Sequence, residues 1–211
     1  MKKILFISEG SIANNYSGGA ITAQNIIRSL YQKYEITSVS LLVNSKRINV
    51  NKNKLLKNKK INFKFFFKKI KKENFLKKII SIFFLNEKNI FFGHSFNQEI
   101  KQIILTKKFD LIICYHWEAI AACSQIKGIK KIALYGDPLH QVIRSRLDFS
   151  DNIIIKCFGY LKIERVARIS ANLLSNFDKN FAFSKGHSRD FLKYNIKYGY
   201  IQTPIENKKK L

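Results

Sequence analysis

The sequence predicts an α/β domain in which a doubly wound parallel sheet carries helices on both faces. Short continuous apolar runs alternate along the chain with longer segments that have the apolar period of a helix. The runs consist mainly of Ile, Leu and Phe, as is typical of parallel strands buried on both faces. Because ligands of such folds bind beside the carboxyl ends of the strands, the residues that follow each strand are the first candidates for a functional site.

A strand, a glycine-containing loop, a helix and a second strand open the chain. Residues 3–7 (KILFI) predict a buried strand, and the small and polar residues after it end in Gly18 and Gly19. From residue 20 to residue 31 the apolar side chains recur with a helical period, and residues 35–43 predict the second strand. This order is typical of a βαβ unit with a right-handed crossover.

Residues 44–108 have a different composition. They contain 18 Lys and Arg residues but three Asp and Glu residues, so they carry most of the excess positive charge. Within them, residues 61–67 predict a strand and residues 70–106 predict helical structure. The stretch 70–85 predicts an amphipathic helix whose polar face is basic and whose opposite face carries Phe, Leu and Ile.

The second half of the chain returns to the alternation of strands and helices. Strands are predicted over residues 110–115, 131–135, 180–184 and 198–201. Helices are predicted over residues 118–127, 153–175 and 186–194. No internal repeat interrupts this pattern, which completes the doubly wound domain.

The chain as a whole is strongly basic, with 39 Lys and Arg residues, 14 Asp and Glu residues and a formal net charge of +25. Such a charge favours nucleic acid, anionic lipid or phosphorylated substrates, although AT-rich codons also favour Lys, Ile, Asn and Phe. No nucleic-acid-binding module is recognisable, so nucleic acid ranks last. The basic segment is either an ordinary polar face or a membrane patch that includes Lys68, Lys69, Lys71 and Lys72.

The three cysteines, Cys114, Cys123 and Cys157, form no C-x-x-C pair and have no His at metal-ligand spacing. This pattern predicts reduced thiols in a cytoplasmic protein and no metal site. The first residues lack the apolar core of a signal peptide. The longest apolar run of the basic segment, residues 79–85, is too short to span a bilayer, which takes roughly 20 residues.

Two short motifs follow predicted strands. Gly18 and Gly19 either let a ligand approach the backbone at a helix N-terminus or form a tight turn that needs positive φ. The loop lacks G-x-G-x-x-G and G-x-x-x-x-G-K-[ST], so neither nucleotide fingerprint is met. His116 follows the strand 110–115, where it either serves as an acid, base or hydrogen-bond donor or caps the turn into the next helix.

Further polar residues follow the next strands. Asp137 either accepts hydrogen bonds from sugar hydroxyls or caps a helix that starts near Pro138. Ser184 is expected to cap a helix. His140, Arg144 and Arg146 follow at helical spacing, where they either meet phosphate or form a solvated face. The sequence shows no paired catalytic carboxylates, no Ser nucleophile elbow and no zinc signature.

The order of these motifs resembles the amino-terminal domain of GT-B glycosyltransferases, and of glycosyltransferase family 4 in particular. The opening KILFIS leads to SGGA at 17–20, and FDLIICYH at 109–116 is similar to that family's "fDlI…H" strand and loop. GD at 136–137, FAFS at 181–184 and TPI at 203–205 are similar to its next loop, its last strand–helix element and the start of its interdomain linker. The likeness covers residues 1–205, and residues 206–211 follow as a basic tail or linker.

The resemblance implies a single Rossmann-like domain, the acceptor-side half of an enzyme that transfers sugar from a nucleotide-sugar donor. It implies that Gly18 and Gly19 lie against the donor phosphates and the acceptor, and that His116 is the catalytic residue beside the transfer centre. Asp137 would face the acceptor pocket and Ser184 would contact the cleft. It also implies retention of anomeric configuration, no metal or covalently held cofactor, and a glycan or lipid-linked acceptor at the inner face of the cytoplasmic membrane.

The chain departs from the family in one respect. The family's donor-binding domain, with its two Glu residues in an E-x7-E pattern, has no counterpart in these 211 residues. We therefore expect no sugar transfer by this chain alone, and a separate polypeptide is one source of the missing half. The alternatives are a non-catalytic subunit that recruits a partner to the membrane, or a truncated remnant.

Overall fold

A computed structural model describes residues 1–10, 12, 18–43, 61–69, 86–149, 151, 153–183, 186 and 189–202. Within these residues, seven strands form one parallel sheet in the order β3-β2-β1-β4-β5-β6-β7. They are β1 Lys3–Glu9, β2 Glu35–Val43, β3 Ile61–Lys68, β4 Leu111–Tyr115, β5 Lys130–Tyr135, β6 Lys179–Ala182 and β7 Gly199–Tyr200. The predicted doubly wound α/β fold is confirmed.

Six α-helices and two short 3-10 helices lie between the strands in the described residues. The α-helices are α1 Gly18–Leu30, α2 Glu87–Ile90, α3 Asn97–Thr106, α4 Trp117–Cys123, α5 Leu139–Asp148 and α6 Ile153–Ser175. The 3-10 helices are Phe92–Phe96 and Arg189–Tyr194. The predicted helix over residues 153–175 has those bounds in the structure, whereas the amphipathic helix predicted over 70–85 lies outside the described residues.

The strand order reverses direction between β1 and β4. From β1 the chain moves outward to β2 and β3, then returns to add β4 on the other side of β1. Ser8 pairs with Tyr115 in the register of these two strands, so Glu9 and His116 follow side by side at their carboxyl ends. Open sheets of this kind bind ligands in the crevice at such a switch point.

Each central strand sends alternate side chains to the two faces of the sheet. Leu5 and Ile7 join the core under α3, α4 and α6, while Ile4 and Phe6 join the core under α1. All four side chains are buried. Burial on both faces explains why the strand sequences are apolar throughout instead of alternating.

Two predicted helices differ from the observed ones for local reasons. The helix expected to reach residue 127 ends at Cys123, because the ammonium of Lys131 takes the carbonyls of Cys123 and Ser124 at 3.2 and 3.1 Å. The described part of the helical structure predicted over residues 70–106 is divided into α2, a 3-10 helix and α3, and Gly93 of the 3-10 helix packs directly on the carbonyl of Glu118. In both cases the helix boundaries lie at contacts with other segments of the chain.

The cysteines are unpaired thiols, of which Cys114 and Cys123 are fully buried and Cys157 is exposed. The first two pack in the core as small apolar side chains.

Among the helices of the described residues, none is both long enough and apolar enough to cross a bilayer.

Candidate functional site

His116 occupies the turn between β4 and α4 with an unusual backbone. Its φ is +69° and its ψ is 167°, a conformation that is essentially reserved for glycine. The surrounding structure holds it there: its N–H donates to the Leu134 carbonyl at 2.8 Å, and its carbonyl accepts from the Ile120 N–H at 3.1 Å. Strain of this kind is stabilised by neighbours and concentrates at functional sites.

The imidazole of His116 is not used to cap the helix. His116 is the N-cap residue of α4, yet its side chain makes no capping hydrogen bond. A Cβ atom on Gly19 would lie 3.3 Å from Nε2, and a Cβ atom on Gly136 would lie 3.6 Å from Cε1. The ring therefore lies between a glycine in the first turn of α1 and a glycine in the loop after β5, and the ring of Tyr115 packs edge-on to it at 4.1 Å between centroids.

Burial lowers the pKa of His116 from its usual value. At neutral pH the imidazole is therefore uncharged, with one nitrogen free to accept a proton or a hydrogen bond. Burial also raises the pKa of the adjacent Tyr115 to about 12, and its hydroxyl shares a hydrogen bond with Thr22 of α1. The tyrosine keeps its proton, so His116 is the one of these two side chains that can act as a base.

A cleft of about 280 Å³ opens beside the imidazole at the carboxyl ends of β1 and β4. Its walls come from the end of β1, the loop after it, the first turns of α1 and the β4–α4 turn. The lining residues are Glu9, Gly10, Ile12, Gly19, Ala20, Ala23 and His116. Gly10 has a φ of +76°, which lets the chain turn away from the strand end and leave the cleft open.

Two carboxyl groups that the sequence does not single out interact with each other at this edge of the sheet: Glu9, which lines the cleft, and Glu118. The backbone N–H of Glu118 donates to the carboxylate of Glu9, and one Glu118 oxygen accepts from the Gly93 N–H at 2.7 Å. Burial, and secondarily the charge of Glu9, raises the pKa of Glu118 to about 8. Burial by the cleft walls also raises the pKa of Glu9. A polar residue directly after an apolar strand was the available signal for Glu9.

Of the two glycines predicted to lie at the site, the structure places one beside His116. A Cβ atom on Gly19 would lie 3.3 Å from the imidazole, whereas a Cβ atom on Gly18 would meet nothing within 4 Å. Both residues begin α1, and neither has positive φ, so the tight-turn interpretation is wrong. The left-handed glycine of this region is Gly10.

Asp137 lies next to the site through its backbone. Its carbonyl accepts a hydrogen bond from the Trp117 indole at 3.0 Å, which ties the β5–α5 loop to the residue after His116. Pro138, the residue after Asp137, is the N-cap residue of α5 and makes no side-chain capping bond. The exposed Asp137 lines a groove of about 430 Å³ along α5.

The basic residues after Asp137 divide into two kinds. His140 is 2% exposed and its Nε2 lies 3.1 Å from a carboxylate oxygen of Asp190, so it belongs neither to a solvated face nor to an open anion site. Burial lowers its pKa. Arg144 and Arg146 are exposed and line the groove along α5.

The remaining predicted residues lie elsewhere. Ser184, Lys71 and Lys72 fall outside the described residues. The ammonium of Lys68 pairs with a Glu99 carboxylate oxygen at 2.7 Å and also contacts the Ser95 carbonyl, so it stabilises the packing of β3. Lys69 is exposed. Within the described residues, no cluster of three or more His, Cys, Asp or Glu side chains could hold a metal ion.

Several solved structures resemble this chain in fold. Sucrose-phosphate synthase from Thermosynechococcus elongatus superposes with a TM-score of 0.56 at 11% identity, over 96% of this chain and 48% of that one. A putative UDP-N-acetylglucosamine 2-epimerase from Listeria monocytogenes gives 0.51 at 14% identity, over 93% and 44%. Phytolacca americana UGT2, complexed with UDP-2fluoro-glucose and pterostilbene, gives 0.53 at 10% identity, over 97% and 55%.

These neighbours are proteins of the GT-B architecture, and the chain spans about half the length of each. At such low identities the likeness shows the fold alone. No protein-family model matches the sequence, and no curated protein is similar to it in sequence. The resemblance to glycosyltransferase family 4 therefore remains a prediction.

Proposed function

We propose that this chain is the acceptor-side half of a glycosyltransferase resembling family 4, which transfers a sugar from a nucleotide-sugar donor to a glycan or lipid-linked acceptor. One observation carries the proposal: a strained, uncharged His116 is held between Gly19 and Gly136 at the switch point of the sheet, and its ring makes no hydrogen bond that caps α4. The GT-B likeness supports the reaction class.

The chemistry assigned to His116 concerns the acceptor hydroxyl. Its neutral imidazole accepts a hydrogen bond from that hydroxyl and takes its proton as the oxygen bonds to the anomeric carbon. The bond from that carbon to the nucleoside diphosphate breaks, and the diphosphate leaves with the electron pair. Stabilisation of this charge, donor binding and the retention expected from the resemblance are assigned to a second, donor-binding half, on the same or a separate polypeptide.

Glu9 and Gly19 have supporting roles in this proposal. The Glu9 carboxylate, held by the Glu118 N–H, lines the cleft and can accept hydrogen bonds from sugar hydroxyls. The missing side chain of Gly19 leaves space beside Nε2 for the acceptor or the donor phosphates. Neither role requires a bound metal or covalent cofactor, and we place the reaction at the inner face of the cytoplasmic membrane.

Trp117 makes acceptor binding directly measurable, because it is the chain's single tryptophan and adjoins His116. We would titrate the chain with neutral oligosaccharides and with short-chain lipid-diphosphate sugars, and follow the fluorescence of Trp117. At least one acceptor class should change the emission, and His116→Ala should weaken that response. Gly18→Ala, which meets no neighbour within 4 Å, is the matched control.

Transfer itself is tested on the chain joined to or mixed with its donor-binding half, by the release of nucleoside diphosphate. His116→Ala should reduce the rate about 100-fold or more, as expected for loss of a general base. An unchanged rate would remove His116 from the reaction. If the assembled pair shows no transfer and no acceptor changes the Trp117 emission, the chain is a non-catalytic subunit.

A further inference from the structure

The hairpin formed by α5 and α6 exposes a set of large apolar side chains at its tip. Phe149, directly after α5, is 87% exposed, and Ile153, the first residue of α6, is 74% exposed. Leu161 is 73% exposed and Tyr160 is 47% exposed. Single exposed apolar residues are ordinary, but a contiguous group marks a binding surface.

Three of these residues lie on one side of α6, together with Cys157. Ile153, Cys157, Tyr160 and Leu161 follow the i, i+4, i+7, i+8 spacing, so they form one stripe about 12 Å long. Further along the helix, Ile163, Val166, Ala167 and Ser170 are buried in the core, on a face roughly a third of a turn away from the stripe. The exposed stripe is therefore apolar surface in addition to the face that the fold buries.

The hairpin presents this surface on a firmly packed base. The buried side chain of Leu147 lies so close to Gly159 that a Cβ atom there would be 2.3 Å from it, so the glycine lets the two helices meet. The Tyr160 hydroxyl donates to Asp148 at 2.7 Å, which joins the end of α5 to α6. These two contacts fix α6 against the end of α5, and the exposed apolar residues project from this packed helix pair.

The charge around the tip indicates which partner it fits. Residues 144–168 include six Lys and Arg residues and three Asp and Glu residues. Two of the three acidic residues are engaged within the protein: Asp148 with Tyr160, and Glu164 with Lys193 at 2.9 Å. Arg144 and Arg146 lie exposed along the groove beside the tip.

We infer that the α5–α6 tip is a membrane-docking surface, in which Phe149, Ile153 and Leu161 enter the interface of an anionic bilayer while Arg144 and Arg146 meet lipid phosphates. Protruding apolar side chains flanked by basic residues are what interfacial binding requires. A second copy is disfavoured because both surfaces would belong to chains of +25 net charge. The surface differs from the basic segment around Lys68, whose ammonium is taken by Glu99.

This inference goes beyond the proposed sugar transfer and does not need it. The groove beside Arg144 and Arg146 ends at Asp137, whose backbone joins the His116 loop, so docking here would bring lipid headgroups toward the candidate site. Vesicle binding is measured without donor or acceptor. Failure of one proposal therefore leaves the other standing.

Cys157 provides a direct probe, because it lies in the exposed stripe while Cys114 and Cys123 are fully buried. The folded chain would be labelled at Cys157 with an environment-sensitive fluorophore and mixed with vesicles of phosphatidylcholine and phosphatidylglycerol. We expect a blue shift with these vesicles, a much smaller one with phosphatidylcholine alone, and a decline with added salt. Absence of a shift with anionic vesicles would overturn the inference.

Variants then locate the contact by vesicle co-sedimentation. Phe149→Ser with Leu161→Ser should reduce partitioning at least about tenfold, and Arg144→Ser with Arg146→Ser should reduce it several-fold. Leu105→Ser on α3 is the matched control, since Leu105 is 86% exposed but lies outside the hairpin, and it should bind as the parent does. Thermal unfolding of each variant would verify that it is folded.

Two outcomes would reassign the surface. If charge reversal at Lys68, Lys69, Lys71 and Lys72 abolishes binding while the hairpin variants bind normally, the tip is not the docking surface. If the Cys157 probe shifts without lipid as protein concentration rises, and sedimentation shows dimers, a second copy covers the tip. Either result would overturn the assignment.

Discussion

Gly93 and Gly19 both contact the segment that begins α4, but they meet different kinds of atoms. A Cβ atom on Gly93 would lie 1.9 Å from the backbone carbonyl oxygen of Glu118 and 3.1 Å from the Ala122 nitrogen. A Cβ atom on Gly19 would lie 3.3 Å from the tip of the His116 ring. A methyl group on Gly93 would clash with backbone atoms that cannot move aside, whereas one on Gly19 would meet a side chain that can change its position.

The difference separates a structural contact from a functional one. Gly93 is buried and locks the 3-10 helix onto α4, where the Glu118 carboxyl group receives its N–H. Gly19 lines the cleft beside the imidazole. Glycine at the first position is required for the fold, whereas at the second it leaves room for a ligand.

The largest expected loss of stability is that of Gly93→Ala. The new methyl group would overlap the Glu118 carbonyl, so the two elements must separate and expose the core beneath them. We expect a loss of about 3 kcal/mol or more in the free energy of unfolding, at the upper end for overpacked cores. Urea denaturation with Gly18→Ala as the control would measure it, and a loss below about 1 kcal/mol would show that the contact relaxes.

Glu118→Gln should remove a pH dependence of the protein's stability that arises from the carboxyl group bonded to the Gly93 N–H. The folded-state pKa of Glu118 is raised to about 8, so the protonated carboxyl stabilises the fold at low pH and this contribution is lost as pH rises from 4.5 through 8. The neutral amide can still accept from the Gly93 N–H. We expect the variant to be more stable than the parent above pH 8, by up to about 5 kcal/mol at roughly 1.4 kcal/mol for each pH unit between 4.5 and 8, and similar to it near pH 5.

Thermal unfolding of the parent and of Glu118→Gln at a series of pH values would test this. The parent's melting temperature should decline across that window more steeply than the variant's. Equal slopes would mean that Glu118 is already ionised in the folded protein. Glu9 contributes in the same direction in both proteins, because its pKa is raised as well.

A smaller effect is expected from relieving the backbone of His116. Glycine adopts its φ of +69° readily, whereas alanine keeps the strain and loses the ring. His116→Gly should therefore be more stable than His116→Ala by about 1 kcal/mol. Both variants should lose the acceptor response of Trp117, and equal stabilities would show that the backbone there relaxes without cost.

The smallest expected effect on stability is that of Gly19→Ala. Alanine favours the start of α1 by up to about 0.5 kcal/mol, but the methyl group lies 3.3 Å from His116 Nε2, so the ring must move a few tenths of an ångström. Stability should change less than with Gly18→Ala, while the acceptor response of Trp117 should fall. If both variants respond to acceptor equally, the space beside Nε2 is not used.

Much of this architecture follows from the sequence alone. Continuous apolar runs predict each strand within two or three residues of its observed ends, because parallel strands buried on both faces need such runs. The doubly wound rule directs attention to residues after those strands, and Gly19 and His116 indeed meet there. Element type and order are local properties, so periodicity is enough to predict them.

The tertiary structure alone decided how those residues are used. The strained backbone of His116, the Glu9–Glu118 contact and the engagement of Lys68 by Glu99 each join segments far apart in the chain. The same holds for the exposed stripe on α6, since a helix with apolar residues around much of its circumference does not reveal from its sequence which of them the core will cover. Periodicity records the local conformation of a segment, whereas burial, strain and charge pairing depend on which distant segments pack against it.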